Sequence, residues 1–150
     1  MAAATARSPL ALALIDIDRF KAVNDTMGHA YGDTCLIQVA NLLAQHFQRE
    51  NDLVARLGGE EFCVIFSHTD ATQAARICEQ VREAVAAAGI PHPSALCDHR
   101  LTISIGLAVW CPQASPHGDA DALQQLADDC LYAAKRQGRN RVVVRQLDLA

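Results

Sequence analysis

Short apolar runs alternate along this chain with longer stretches in which apolar residues recur at helical spacing. Residues 10–15 (LALALI) form one such run, and residues 53–57 and 62–66 form two more on either side of a Gly-Gly-Glu-Glu turn. Runs of this length, rich in branched and aromatic side chains, are typical of strands, and the second and third predict a hairpin. Residues 101–110 predict a fourth strand, and residues 142–144 predict a short fifth one.

The intervening stretches predict three helices. Apolar residues recur at helical spacing in three stretches. The first covers residues 32–47, the second runs from a cap at Thr69 or Asp70 to a stop at Gly89, and the third covers residues 120–137. The order is then strand, helix, hairpin, helix, strand, helix, strand. This order favours the α/β class, as a ferredoxin-like α+β sandwich in which a central, mostly antiparallel sheet is flanked by helices.

The composition is that of one globular domain over residues 1–150, with 51% hydrophobic and 20% charged residues. The net charge of −4 gives no basic footprint, so nucleic acid is not an expected partner. A small anionic ligand bound by a few local cations remains compatible with it. No segment approaches the roughly 20 apolar residues of a membrane span, so no membrane partner is expected within this chain.

The six cysteines show neither a C-x-x-C pair nor zinc-ribbon spacing. Buried, reduced thiols in a cytoplasmic protein are the expected state. A metal site at Cys97, Asp98 and His99, with His92 nearby, is the lesser alternative.

An acidic pair ends the first predicted strand. Side-chain alternation places Asp16 and Asp18 on one face and Ile17 on the other. Asp18 suits the cap of a short helix that follows. Asp16 does not, and a carboxylate at the end of a buried strand is costly unless something pairs it.

The hairpin turn carries a second acidic pair, Glu60 and Glu61. In a split β-α-β sheet the first strand is central and borders the hairpin, so its end can bring Asp16 close to both glutamates. Gathered carboxylates repel one another unless a cation lies among them, and Mg²⁺ takes one or two carboxylates together with water and phosphate oxygens. Because Gly58 and Gly59 lack Cβ atoms, their N–H groups can approach a triphosphate. The pattern therefore predicts a metal–phosphate site.

Candidate ligands for a nucleotide occur on both sides of this turn in the sequence. Lys21 follows the acidic strand, and Lys135 and Arg139 close the last helix four residues apart. These cations suit a polyphosphate, although basic residues near a helix C-terminus can simply complement its dipole. Asn24 and Asp33 offer the donors and acceptors that the guanine edge requires, with turn and N-cap chemistry as the alternative.

Four motifs occur in order over about residues 10–145: DIDRFKAVNDTMGHAYGD, RLGGEEF, LTISIG and LYAAKRQGRN. Together they resemble the GGDEF domain of diguanylate cyclases, in its GGEEF variant. The resemblance implies a fold related to nucleotidyl cyclase catalytic domains and polymerase palms. It also implies an enzyme that condenses two GTP into cyclic di-GMP with release of two pyrophosphates.

The same resemblance implies a role for each matched residue. Mg²⁺, with two ions in each GTP site, would be bound by Asp16, Glu60 and the carbonyl of Ile17. Glu60 or Glu61 would help deprotonate the attacking 3′-hydroxyl. The residues implied to contact phosphates are Gly58, Gly59, Lys135, Arg139 and the backbone near Phe20 and Lys21. Those implied to contact guanosine are Asn24 and Asp33, which would read guanine, and His29, near the ribose and base.

A further match is the sequence Arg-Glu-Asn-Asp, which stands five residues before the first glycine of the turn. The spacing of Arg49 and Asp52 resembles the family's product-inhibition site for cyclic di-GMP, although the composition alone is also typical of a solvated helix end. In the family a third arginine from the following helix often completes this site. By spacing, Gln80 takes that position here, flanked by Arg76 and Arg82.

Family members usually begin with an upstream D-x-L-T-x-L-x-N-R stretch, and nothing in this sequence matches it. We therefore expect an excised or unusually short cytoplasmic domain that normally follows a sensory or dimerising region. Because each domain would bind one GTP, catalysis is expected of a homodimer. The alternatives are a module that binds GTP or cyclic di-GMP without turnover, and a cyclase of a different class that uses adenylate.

Overall fold

A five-stranded sheet forms the centre of the protein, and the computed structural model describes residues 8–148. The strands are β1 (Leu10–Ile17), β2 (Leu53–Gly58), β3 (Glu61–Ser67), β4 (Ile103–Trp110) and β5 (Val142–Gln146). Their spatial order is β2-β3-β1-β4-β5, and all neighbours are antiparallel except β4 and β5, which are parallel. The first strand is therefore central and borders the hairpin, as predicted.

Helices cover both faces of this sheet. They are α1 (Phe20–Met27), α2 (His29–His46), α3 (Ala71–Ala87) and α4 (Ala120–Arg136), with a 3₁₀ turn at Ala95–Cys97. The first three pack on one face and α4 packs on the other. The predicted sandwich is confirmed. Among the helices of residues 8–148, none combines the length and the apolar character needed to cross a bilayer.

The alternation of side chains in β1 explains the two layers. Ala11, Ala13 and Ile15 are fully buried in the larger core, which also contains residues of α1, α2 and α3. Leu14 points the other way, into a smaller core with residues of α4. Asp16 continues the row of Leu14, so its carboxylate lies on the side of α4.

Two helices follow β1. The sequence predicted a long helix from about Gly32 and allowed a short helix after Asp18. The second, α2, begins at His29, and the short helix that precedes it, α1, buries only Phe20 and Val23. The first turn of α2 is largely exposed, so apolar spacing gave no signal for its start. Gly28, with φ of 88°, takes the backbone from one helix to the next in a conformation that other residues rarely adopt.

The remaining element boundaries differ from the predictions by a few residues. Asp70 caps α3 by accepting a hydrogen bond from the backbone N–H of Gln73 (2.9 Å), whereas the Thr69 hydroxyl donates to the Ser67 carbonyl (2.8 Å). The fourth strand begins two residues later than predicted, and β5 runs two residues further.

A glycine in β4 sets the depth at which α4 packs. A Cβ on Gly106 would lie 2.2 Å from the backbone nitrogen of Leu131 and 2.4 Å from the carbonyl oxygen of Ala127. The backbone of α4 therefore rests directly on β4. Gly106 pairs with Leu14 in the sheet, so the turn of α4 that follows Leu131 lies over the end of β1.

Candidate active site

The acidic end of β1 and the hairpin turn lie side by side. Asp16 pairs with Glu61 in the register of β1 and β3, and the backbone N–H of Ile17 donates to the carbonyl of Glu60 (3.2 Å). The predicted juxtaposition of Asp16 with both glutamates is therefore present. Glu60 is half-buried and Glu61 is exposed, so the turn offers both to a ligand.

The two glycines of the turn are needed for its backbone. Gly58 has φ of 141° and Gly59 has φ of 52°, and no atom lies within 4 Å of a Cβ built on either. The Arg56 side chain donates to the Gly59 carbonyl (3.0 Å) and holds the turn. The glycines thus leave open space beside a fixed turn, which suits close approach of a phosphate.

Lys135 is the immediate partner of Asp16. Its ammonium group donates to one oxygen of the Asp16 carboxylate, which is almost fully buried. Burial raises the pKa of Asp16, the hydrogen bond and charge of Lys135 oppose that shift, and the charges of Glu60 and Glu61 add to it. This carboxylate thus lies in a site where a cation is needed to keep it ionised.

Asp18 does not cap α1, contrary to the sequence prediction. Its side chain is buried and accepts hydrogen bonds from the Thr102 hydroxyl (2.7 Å), the Ser104 hydroxyl (2.6 Å) and the Asn140 backbone N–H (3.0 Å). The N-cap of α1 is Arg19, in a left-handed conformation with no side-chain cap bond. Asp18 therefore ties the end of β1 to β4 and to the segment that follows α4.

The residues predicted to contact guanosine lie on α1 and α2, and those predicted to contact phosphates flank them. A Cβ on Gly32 would lie 2.0 Å from the Asn24 side-chain oxygen, so Gly32 makes room for the Asn24 amide, and Asp33 is the next residue on α2. His29 and Asp33 are exposed. At the start of α1, Phe20 is buried and Lys21 is exposed.

Arg139 follows α4 with φ of 66° and is half-buried. It lines a cavity of about 310 Å³ together with Arg19, Arg100 and Arg141. Lys135 and Arg139 are therefore not equivalent in this structure, because Lys135 contacts Asp16 whereas Arg139 faces a separate, basic cavity.

Arg49 and Asp52 form a compact unit after α2. The Asp52 carboxylate accepts from the Arg49 backbone N–H (3.0 Å) and from its guanidinium (3.2 Å), and the same guanidinium donates to the Ser67 carbonyl (2.8 Å) and the Thr69 hydroxyl (2.9 Å). Only 4% of the Asp52 side chain is exposed, against 49% of Arg49. Arg49 and Asp52 are thus held against each other and against the end of β3.

Comparison with known proteins shows which family the chain belongs to. The family described as the diguanylate cyclase GGDEF domain matches residues 1–141. The chain is a GGDEF domain. It is 39% identical over 145 residues to the probable diguanylate cyclase DgcT of Escherichia coli K12. The matched residues make up 97% of this chain and 31% of that protein. Diguanylate cyclase DosC of the same strain is 37% identical over 135 residues, or 90% of this chain and 28% of that protein. The domain thus spans less than a third of the length of these two curated relatives.

Solved structures agree with this assignment. The active GGEEF domain of a diguanylate cyclase from Vibrio cholerae superposes with a TM-score of 0.79 at 32% identity, over 97% of this chain and 89% of that one. The GGDEF domain of DgcB from Caulobacter crescentus, solved in complex with c-di-GMP, gives a TM-score of 0.81 at 34% identity, over 95% and 83% of the two chains. The fold of this GGDEF domain is therefore that of known cyclase domains.

The donors at the acidic end of the GGDEF domain suit Mg²⁺. The carboxylates of Asp16 and Glu60 and the carbonyl of Ile17 are all hard oxygen ligands on adjacent strand and turn positions, and a protein cation, the Lys135 ammonium, already stands against Asp16. Within residues 8–148, no group of three or more His, Cys, Asp and Glu side chains is arranged to hold a metal. Mg²⁺ does not require one, because it keeps several waters and substrate oxygens in its shell.

Within residues 8–148, Cys97, Asp98, His99 and His92 form no such group, so the structure does not support the alternative metal site. His92 is buried and uses both ring nitrogens: its Nδ1 accepts from the Ser94 N–H (3.0 Å), which leaves Nε2 to donate to the carbonyls of Asp18 (3.1 Å) and Arg19 (3.2 Å). His92 therefore fastens the loop before β4 to the end of β1.

The cysteines of the GGDEF domain are as predicted. All six are free, five of them are buried, and Cys111 is half-buried. Burial raises the pKa of Cys78 to about 12, so this thiol is inert at neutral pH.

Sequence analysis missed the support beneath the site. The backbone around Asp18 is held by four residues: Thr102, Ser104, Asn140 and His92. In the sequence, each of them is typical of an ordinary strand or loop position. One signal was available: Asp18 stands two residues after Asp16, and on a shared face both need partners from neighbouring strands.

Proposed function

We propose that this GGDEF domain is the catalytic domain of a diguanylate cyclase that converts two GTP into cyclic di-GMP and two pyrophosphates. Each 3′-hydroxyl attacks the α-phosphate of the other GTP, the bond from that phosphorus to the pyrophosphate oxygen breaks, and pyrophosphate leaves with the electron pair. The observation that carries the proposal is the meeting of Asp16, Glu60 and Glu61 at one end of the sheet, with Lys135 against Asp16.

The carboxylates divide the chemistry between them. Asp16, Glu60 and the Ile17 carbonyl would hold Mg²⁺, with two ions in each GTP site. The metal would supply charge neutralisation at the phosphates and activation of the hydroxyl. Glu60 or Glu61 takes the proton of the 3′-hydroxyl, since the turn holds both side chains beside Asp16. Because Asp16 is buried, its negative charge lies in a region of low dielectric, where its attraction for a cation is stronger.

The remaining predicted residues bind and orient GTP. The open turn at Gly58 and Gly59 and the start of α1 at Phe20 and Lys21 present backbone N–H groups to the phosphates. Lys135, with 34% of its side chain exposed, can turn from Asp16 to a phosphate oxygen. Arg139 contributes a second cation. Asn24 and Asp33 read guanine, supported by the gap at Gly32, and His29 lies near the ribose and base.

Catalysis requires a homodimer because each domain holds one GTP and therefore half of the reaction. Two domains must face each other so that each 3′-hydroxyl lies in line with the other α-phosphate. Such positioning can supply about 7–11 kcal/mol of the barrier reduction. A monomer binds GTP but turns over little.

Product inhibition is assigned to Arg49 and Asp52, whose fixed geometry is ready for a guanine edge and a phosphate of cyclic di-GMP. The further arginine of this site is Arg76. It lines a cavity of about 390 Å³ together with Arg49 and Gln80. Arg82, the other candidate, is held by the Glu79 carboxylate (2.5 and 2.8 Å) and the Asn140 side chain (2.8 Å), so it is not available.

The role of Arg76 has a direct test. Because Arg76 supplies a charge-assisted hydrogen bond to the ligand, Arg76→Ala should weaken cyclic di-GMP binding about tenfold or more by calorimetry. Arg136→Ala, which also removes an exposed arginine, is the matched control. Equal affinities in the two variants would remove Arg76 from the site.

A second candidate function is a module that binds cyclic di-GMP without turnover. The Arg49–Asp52 unit favours it, because the hydrogen bonds that hold this unit do not involve the acidic turn. Such a module would bind the product and form none.

The test is to incubate the purified chain with GTP and Mg²⁺ over a series of protein concentrations and to measure cyclic di-GMP by chromatography. We expect product to rise more steeply than protein concentration until the dimer is saturated. A strictly proportional rate far below the dimer's dissociation constant would contradict the dimer mechanism. Product from ATP in place of GTP would indicate the adenylate-using alternative, and cyclic di-GMP released on denaturation without turnover would indicate the binding module.

A further inference from the structure

Arg82 on α3 is a mostly buried arginine that the proposed function leaves without a role. Only 15% of its side chain is exposed, against 46% of its partner Glu79. Two of its guanidinium nitrogens donate to the Glu79 carboxylate (2.5 and 2.8 Å), and the third donates to the Asn140 side chain (2.8 Å). An ion pair that served the helix alone would need only Glu79. The bond to Asn140, 58 residues further along the chain, therefore calls for its own explanation.

Glu79 holds Arg82 in the orientation that this bond requires. Because the guanidinium is planar and is bound through two of its nitrogens, the direction of the third is fixed. The hydrogen bonds from Arg82 lower the pKa of the Glu79 carboxyl, so the pair is fully charged at neutral pH. Arg82 therefore presents an oriented donor to the turn between α4 and β5.

Asn140 lies in that turn in a conformation that needs support. Its φ is 48°, and Arg139 before it has φ of 66°, so two consecutive residues other than glycine occupy the left-handed region. Asparagine adopts this region more readily than most residues, yet such a pair is strained unless neighbouring contacts hold it. The hydrogen bond from Arg82 to the Asn140 side chain is one such contact, and it reaches the turn from α3.

Asn140 also connects the turn to the end of β1. Its backbone N–H donates to the Asp18 carboxylate (3.0 Å) and lies 3.2 Å from the Ser104 hydroxyl. Asp18 is 2% exposed, and its own backbone N–H donates to the Thr102 carbonyl (3.0 Å). That N–H and the Ile17 carbonyl belong to one planar peptide group, so the contacts that hold Asp18 also set the direction of this carbonyl.

We propose that Arg82 is a positioning residue for the candidate active site: through Asn140, it fixes the end of β1 so that the Ile17 carbonyl can bind Mg²⁺. The hydrogen bonds of Arg82 go to Glu79 and Asn140, so its effect on the site passes through Asn140. This inference rests on the proposed function and deepens it, because it adds a support from α3 to a site built on β1, the hairpin and α4.

The test measures the binding of 3′-deoxy-GTP, which lacks the attacking hydroxyl, by calorimetry, once with Mg²⁺ and once with EDTA. Arg82→Gln should weaken binding about tenfold with Mg²⁺ and leave it within about twofold with EDTA, because the change displaces a metal ligand. Asn140→Gly breaks the same hydrogen bond from the other side, keeps the backbone N–H and suits a positive φ, so it should produce the same selective loss. The double variant should lose no more than either single variant.

Glu83→Gln is the matched control, because it removes an exposed charge 3.8 Å from Arg82 on the same helix and leaves the bond to Asn140 in place. Its affinity with Mg²⁺ should stay within about twofold of the original. An equal loss with Mg²⁺ and with EDTA would mean that Arg82 has a merely structural role, and would overturn the inference. Unchanged binding in Arg82→Gln and Asn140→Gly would overturn it as well. If Arg82→Gln does not fold, Asn140→Gly decides the question.

The outcomes separate this inference from the function on which it rests. A loss confined to Mg²⁺-dependent binding, in a chain that forms no cyclic di-GMP, would keep Arg82 as a positioning residue and reject the cyclase. Unchanged Mg²⁺-dependent binding in the variants of a chain that forms cyclic di-GMP would reject the inference and keep the cyclase.

Discussion

Asp18 shows how a single buried residue can support the candidate site through contacts within the protein. Its carboxylate accepts hydrogen bonds from β4 and from the turn after α4, while His92 binds the carbonyl of the same residue. Removal of the carboxylate leaves buried hydroxyl and amide donors without an acceptor. Asp18→Ala should therefore lower the free energy of unfolding by about 2–3 kcal/mol in urea denaturation.

The control for this prediction is Asp128→Ala, which removes an exposed carboxylate from α4 and should change stability by less than about 0.5 kcal/mol. If the two variants unfolded at the same urea concentration, the supporting role of Asp18 would be wrong.

At the scale of elements, the fit of α4 to the sheet determines where Lys135 stands. Gly106→Ala would force a Cβ against the backbone of α4 at 2.2–2.4 Å, and a helix backbone cannot move aside as a flexible side chain can. We expect a loss of about 1–3 kcal/mol in stability, together with weaker GTP binding as Lys135 shifts. A variant that binds GTP and unfolds as the original chain does would contradict this account of the packing.

The elements also show what sequence can and cannot predict. The hairpin, α3 and α4 were predicted correctly because strong period-two or helical spacing coincides there with clear stops such as Gly89. The start of α2 was missed because its first two residues, His29 and Ala30, are exposed and only Tyr31 packs against the core in this turn. The division into α1 and α2 depends on the conformation of Gly28, which spacing does not encode.

The candidate site also has features that the sequence predicts and features that it does not. The meeting of Asp16 with Glu60 and Glu61 follows from topology alone, since a central first strand must end beside the hairpin. The partners of Asp18 come from residues 102, 104 and 140, and only the folded sheet brings them together. The proposal of Arg76 rather than Arg82 likewise rests on the contacts of Arg82 with Glu79 and Asn140, which the sequence does not reveal.

At the scale of the whole molecule, one end of the sheet combines negative and positive charge in separate places. The carboxylates of β1 and of the hairpin turn lie together, and a cavity lined by four arginines reaches Thr102, which donates a hydrogen bond to Asp18. This separation suits a substrate that carries both a bound metal and a chain of phosphates. Under the proposed function, cyclic di-GMP would inhibit from a different surface, at Arg49 and Asp52.

The central claim is that the carboxylates at this end of the sheet perform cyclic di-GMP synthesis. Its most direct test compares the rate of cyclic di-GMP formation from GTP and Mg²⁺ by the original chain, Glu60→Gln and the surface control Glu83→Gln, at a protein concentration that favours the dimer. We predict product from the original chain and from Glu83→Gln, and a rate at least about 100-fold lower for Glu60→Gln. Equal rates for Glu60→Gln and the original chain, or no product from the original chain at any concentration, would contradict the claim.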